Sequence, residues 1–189
     1  DFIPKNITIK FFNPLNNSFG STNTFQGGIF NYSASNGTYM VLVDTLNKPF
    51  QANCLYPGID STIVTTISNP LTSSVNFDIK CKPGLDLNVQ SVNHKDGLIF
   101  PGQQHTLQAM VGDASQWYGL NCANGSSGQV QIIVTGPVTY NGVPNGALIP
   151  NINGNVYTYI ISDFGAINNA TDFNLLFTTD TTAQSGDQI

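Results

Sequence analysis

The chain has 189 residues, 6 Lys and 11 Asp, with no Glu and no Arg, for a formal net charge of −5. Only 9% of it is charged, against roughly a quarter in ordinary soluble domains. Loss of the good helix formers Glu and Arg argues against a helical protein, and an acidic chain without Arg lacks the electrostatic footprint of a nucleic-acid binder. A hydrophobic fraction of 40% is enough for a packed core, so the chain is not a disordered one.

Polarity comes from 23 Asn, 18 Thr, 14 Ser and 11 Gln. From the N-terminus onward, apolar residues alternate with polar ones at the period of two that gives a strand one buried and one wet face. The inward series are Ile7/Ile9/Phe11, Tyr39/Val41/Val43, Ile63/Thr65/Ile67, Val75/Phe77/Ile79/Cys81 and Leu85/Leu87/Val89. They continue through Leu107/Ala109/Val111, Val130/Ile132/Val134, Val156/Thr158/Ile160 and Phe173/Leu175/Phe177. Asn13-Pro14, Asn36-Gly37, Asn69-Pro70, Asp96-Gly97, Pro101-Gly102, Gly136-Pro137 and Asn141-Gly142 punctuate them as turns. About 10–12 short strands at this spacing predict an all-β, antiparallel β-sandwich of Ig-like or jelly-roll-like type. Little or no helix is expected, apart from a turn over Gly112 to Tyr118.

The length suits one sandwich over 1–189, or two small ones meeting near 56–62. A strand, an Asn-Pro-Leu corner and a second strand recur at Asn13-Pro14-Leu15 and Asn69-Pro70-Leu71. Residues 179–189 read as a polar tail or as the entry to a further domain.

No apolar run approaches the ~20 residues of a membrane-spanning helix. The start Asp-Phe-Ile-Pro reads as a mature N-terminus with its signal peptide removed, which suggests a secreted or cell-surface protein. Asn-x-Ser/Thr sequons stand at Asn6, Asn16, Asn31, Asn36, Asn124 and Asn169, against about four expected by accident at this composition. Cys54 and Cys81 each close a strand before a Pro-Gly turn and pair as a disulfide if those strands are neighbours. If a third strand separates them, the sulfurs cannot meet, and Cys122 is either the spare or the true partner of one of them.

Catalytic and metal sets are thin. His94 lies in a hairpin tip and reads as a solvated turn residue; His105 opens the next strand. Two His cannot build a three-His metal centre. No nucleophile elbow, phosphate-cradling loop or zinc spacing occurs. A glycosidase would have to use Asp twice. No enzyme and no cofactor is therefore expected. Calcium is the one ion with any signal, at Asn151, Asn153 and Asn155, or at Asp180 and Asp187 in the tail.

A binding surface remains. Trp117 and Tyr118 stand amid amides that include Asn121 and Asn124, and flat rings beside such groups suit sugars. Against this, a lone Trp in a β protein is more often core. Phe30-Asn31-Tyr32 through Tyr39 forms a second polar-aromatic stretch. In composition and strand–turn cadence the chain resembles secreted β-sandwich proteins of bacteria and lower eukaryotes, including lectin domains at the tips of pili. That resemblance implies no site. The expected function is adhesin- or lectin-like binding of a neutral glycan or another host or cell-surface ligand. The alternative is an assembly module of a larger surface protein or fibre, and less favoured is an Asp-dependent glycoside hydrolase.

Overall fold

The computed structural model describes residues 4–52, 62–68, 74–84 and 86–184. Among them the protein is all-β, with thirteen strands, two short 3-10 helices and every strand pairing antiparallel. Strands of only three residues bring the count above the expected number.

The chain forms two compact units, the first made of residues 1–86 and 114–122, the second of 87–113 and 123–189. In the first unit, β1 (Thr8–Asn13), β2 (Ser18–Asn23), β3 (Gly37–Val43) and β5 (Thr62–Ile67) form a sheet in the order β2-β1-β3-β5. β4 (Phe50–Ala52) pairs with β6 (Ile79–Cys81) in a small second sheet. Both contribute to one core of Ile9, Phe11, Val41, Val43 and Phe50, as the alternation of β1 and β3 requires. β3 and β5 are paired, so residues 37–43 and 62–67 belong to the same sheet, while β4 between them belongs to the other. The corner at Asn69-Pro70 and the cysteine at 54 lie outside the described residues.

The second unit has a four-stranded sheet in the order β10-β13-β8-β7, from β7 (Leu87–His94), β8 (Gln104–Asp113), β10 (Val138–Gly142) and β13 (Leu175–Thr179). A three-stranded sheet, β11-β12-β9, holds β9 (Gly128–Ile133), β11 (Asn151–Asn153) and β12 (Val156–Ile161). Leu107, Ala109, Leu175 and Phe177 of one sheet share a core with Val130, Tyr157, Tyr159 and Ile161 of the other, which makes a two-layer sandwich.

Two strands depart from the expected facing. In β12 the buried set is Tyr157, Tyr159 and Ile161, not Val156, Thr158 and Ile160, and Ile160 is 69% exposed. Two tyrosine rings remove more apolar area from water than a Val and an Ile, so the heavier face turns inward. Tyr157 packs edge-on to Phe177 and Tyr159 edge-on to Phe173. In β7, Val89 and Val92 are exposed at 64% and 58%. β7 ends its sheet, and its register slips between Val89 and Ser91.

Where the chain leaves β8, Gly112 adopts φ +138° and Asn169 packs where a Cβ would stand. The Asn169 amide donates to the Asp113 carbonyl (2.9 Å), and the fully buried Asp113 carboxylate accepts from Ala123 N–H (2.8 Å). These bonds fix the points at which the chain departs and returns, on either side of residues 114–122.

Candidate functional site

The excursion through residues 114–122 carries three of the four candidate ligand-binding residues. It begins as the 3-10 helix Ala114–Tyr118, in place of the helical turn expected over Gly112 to Tyr118. Ser115 is fully buried and its hydroxyl accepts from Cys122 N–H (2.9 Å), which closes the segment on itself. Leu120 enters the core of the first unit. Tyr118 packs edge-on to Phe50 at 5.1 Å, with the Lys48 ammonium 5.4 Å from its ring centre.

Cys122 is bonded to Cys81, with Cα atoms 5.5 Å apart. The Cys54–Cys81 pairing, expected if their strands were neighbours, is thereby corrected in favour of the alternative in which Cys122 is the true partner of one of them. Cys81 ends β6 as predicted, but the sulfur it meets arrives from a segment 41 residues away, a neighbour no local pattern could supply.

For Trp117 the sequence leaves two alternatives open, a binding ring or a core residue. The indole is not a core plug: 60% of it is exposed. Its backbone is held nonetheless, since its carbonyl accepts from the Asn6 amide (3.1 Å) and the next carbonyl accepts from Lys5 N–H (3.0 Å). The aromatic core reads as complete without it because Tyr118, the adjacent ring, takes the inward position. Asn121 is half-buried on the same segment, whereas Asn124 is an exposed residue of the second unit. Trp117, Tyr118 and Asn121 are thus carried on one short, cross-linked stretch, and Asn124 belongs to another unit.

The second polar-aromatic stretch divides in the same way. Tyr39 is buried, its hydroxyl donating to the Ser35 carbonyl (3.1 Å). Tyr32 stacks on Phe11 at 4.0 Å and lies over Gly20, where a Cβ would meet the phenol. A cleft of about 490 Å³ is bordered there by Phe11, Phe30, Asn31, Tyr32 and Asn76.

Several carboxylates have structural employment. Asp163 accepts from Gly125 and Gly165 N–H, Asp172 from Asn168 N–H, and Asp96 from Thr106 N–H. Asp44 binds Lys10 at 2.9 Å; chiefly that hydrogen-bonded ammonium, opposed by burial, holds its carboxyl below the ordinary value. Of the calcium candidates, Asn151 and Asn153 lie on β11 and Gly154 makes the turn into β12, while Asp180 accepts from the Thr139 hydroxyl (3.3 Å); Asp187 lies outside the described residues. Asn169, one of the six sequons, is 5% exposed and engaged at Asp113, so the folded chain does not present it.

His94 is not the solvated tip residue that its sequence surroundings suggest. It ends β7, opposite Leu107, and its ring meets that of His105 with centroids 5.0 Å apart. Burial, followed by the neighbouring His105, lowers its pKa against the raising effect of Asp96. The sequence signal for this pair is its placement on the two arms of the hairpin around Asp96-Gly97.

No helix among the described residues is long and apolar enough to cross a membrane. No protein-family model matches this chain, and no curated protein and no solved structure matches it.

Proposed function

We propose that this chain is a β-sandwich binding module of a secreted or cell-surface protein, and that Trp117 presents its ring to a neutral glycan. The observation that carries the reading is an indole 60% exposed on a backbone that is hydrogen-bonded and cross-linked in place. Ordering a binding loop costs affinity, and a loop fixed beforehand avoids that cost. Apolar ring area with amides close by supplies both contact and orientation for a sugar face. The disulfide is compatible with an oxidising, extracellular setting. A surface of short amides and hydroxyls without Arg favours a neutral ligand over an anionic one. The carboxylates that cap turns are committed to backbone N–H groups, so the reading assigns the chain no catalytic step.

The test is a glycan array followed by titration calorimetry on wild type and Trp117→Ala. A glycan bound by wild type, with affinity reduced at least tenfold in the variant, supports the reading. Binding to no glycan, or binding indifferent to Trp117, removes it.

A second reading, an assembly module of a larger surface protein or fibre, is favoured by the uncovered Val89 and Val92 on the outermost strand β7. Sedimentation at high protein concentration tests it, and a strictly monomeric chain counts against it.

A further inference from the structure

Only two histidines occur in the chain, and the β7–β8 hairpin brings them together. His105 is 3% exposed and His94 is half-buried. The two rings line a cleft of about 300 Å³ in the second unit, together with Val92, Leu107, Gln131 of β9 and Thr135 just beyond it. Both rings turn a nitrogen away from water without a hydrogen-bond partner: Nδ1 of His94 and Nε2 of His105. A buried polar atom left unpaired costs roughly 1–3 kcal/mol, so two such atoms on rings in contact with each other call for a partner.

We infer that His94 Nδ1 and His105 Nε2 are the protein ligands of a borderline transition-metal ion of the zinc or copper class. Three observations favour an ion. First, two imidazoles on one tetrahedral ion at ~2.0–2.1 Å place their ring centres about 5 Å apart, and the observed separation is 5.0 Å. Second, His105 Nδ1 lies 3.4 Å from the buried Thr179 hydroxyl. With the N–H on Nδ1 donating to that oxygen, Nε2 keeps its lone pair for the ion, the arrangement by which ligating histidines are ordinarily oriented. Third, imidazole nitrogens suit zinc or copper and not calcium or magnesium, which take oxygen ligands. Among the described residues no group of three or more His, Cys, Asp or Glu is assembled, so the remaining positions fall to water or a small donor molecule, for which the cleft leaves room. The site lies in the second unit and is independent of Trp117.

The experiment is titration of the metal-free chain with Zn²⁺, and with Co²⁺ as a spectroscopic probe, alongside His94→Ala, His105→Ala and Thr179→Val. One equivalent of Zn²⁺ bound with a Kd on the order of micromolar is expected, with a tetrahedral Co²⁺ visible spectrum. His94→Ala, at the more exposed ring, weakens binding at least tenfold while Trp117→Ala leaves it unchanged. Loss of the hydroxyl in Thr179→Val weakens it by about tenfold or more. If His105→Ala fails to fold, nitrogen-15 shifts of the wild-type imidazoles on adding Zn²⁺ identify the coordinating atoms. Absence of binding by folded protein, binding that survives His94→Ala, or shifts at nitrogens other than His94 Nδ1 and His105 Nε2 would each overturn the assignment.

Discussion

The two units close their cores by different means. The first buries mainly aliphatic residues, Ile7, Ile9, Val41 and Val43, around Phe11 and Phe50. It completes that core with Leu120, borrowed from a later part of the chain and retained by the Cys81–Cys122 bond. The second relies on interlocked rings, Tyr140, Tyr157 and Phe177 in one group and Tyr159 with Phe173 in another. No disulfide occurs there among the described residues. A cross-link restrains the unfolded chain, whereas ring packing stabilises the folded one. The two units therefore differ in what will break them.

The largest expected effect is in the second unit. Phe177 is 1% exposed and touches three other rings, so Phe177→Ala should cost about 3–5 kcal/mol. Urea denaturation measures the loss, and hydrogen exchange over 157–177 locates it. A cost below about 1 kcal/mol would show that the rings repack and that the contrast between the units is wrong. Next comes the disulfide. The bond closes a loop of 41 residues, and reduction should remove about 2–4 kcal/mol. Trp117 is the only tryptophan and lies in the first unit, so its emission follows this loss directly.

A smaller effect tests the first unit's sheet. The Asp44 carboxyl has a folded pKa below its ordinary 3.8, so its contribution is present above that value and disappears as pH falls through the folded one. Asp44→Asn should cost under about 1 kcal/mol at neutral pH, since the pair with Lys10 is partly solvated. Wild type and variant should converge as pH falls below the lowered folded value, measured as the denaturation midpoint against pH. Smallest of all, Trp117→Ala should change stability by no more than about 0.5 kcal/mol, as expected of an exposed side chain. A larger loss would return the indole to the core and undo the proposed binding face.

Much of the fold is legible in local pattern. β1, β3 and β13 bury the residues their alternation assigns inward, and β8 buries Leu107 and Ala109 with Val111 half-buried, because a strand with one apolar face has one low-energy way to lie. β12 is the instructive exception. Both of its faces carry apolar bulk, so alternation alone allowed either, and the partners Phe173 and Phe177 selected the tyrosines. The candidate site was legible only as a list. Trp117, Tyr118 and Asn121 do share a segment, but which ring faces water depends on Phe50, 68 residues before Tyr118 in the chain. The His94–His105 pair stayed hidden because a hairpin tip and a strand end look unrelated until the register is set.

The sequence by itself determined an all-β chain, its turns, an absence of Arg and Glu, and so a surface of amides and hydroxyls. Those follow from residue chemistry and a period of two, which act over a few neighbours. Tertiary structure alone decided that Cys81 meets Cys122, that Trp117 is exposed, that β12 turns its tyrosines inward, and that the two histidines face one cleft. Each of these depends on which distant segments come within a few ångströms of one another, and local chemistry does not encode that distance.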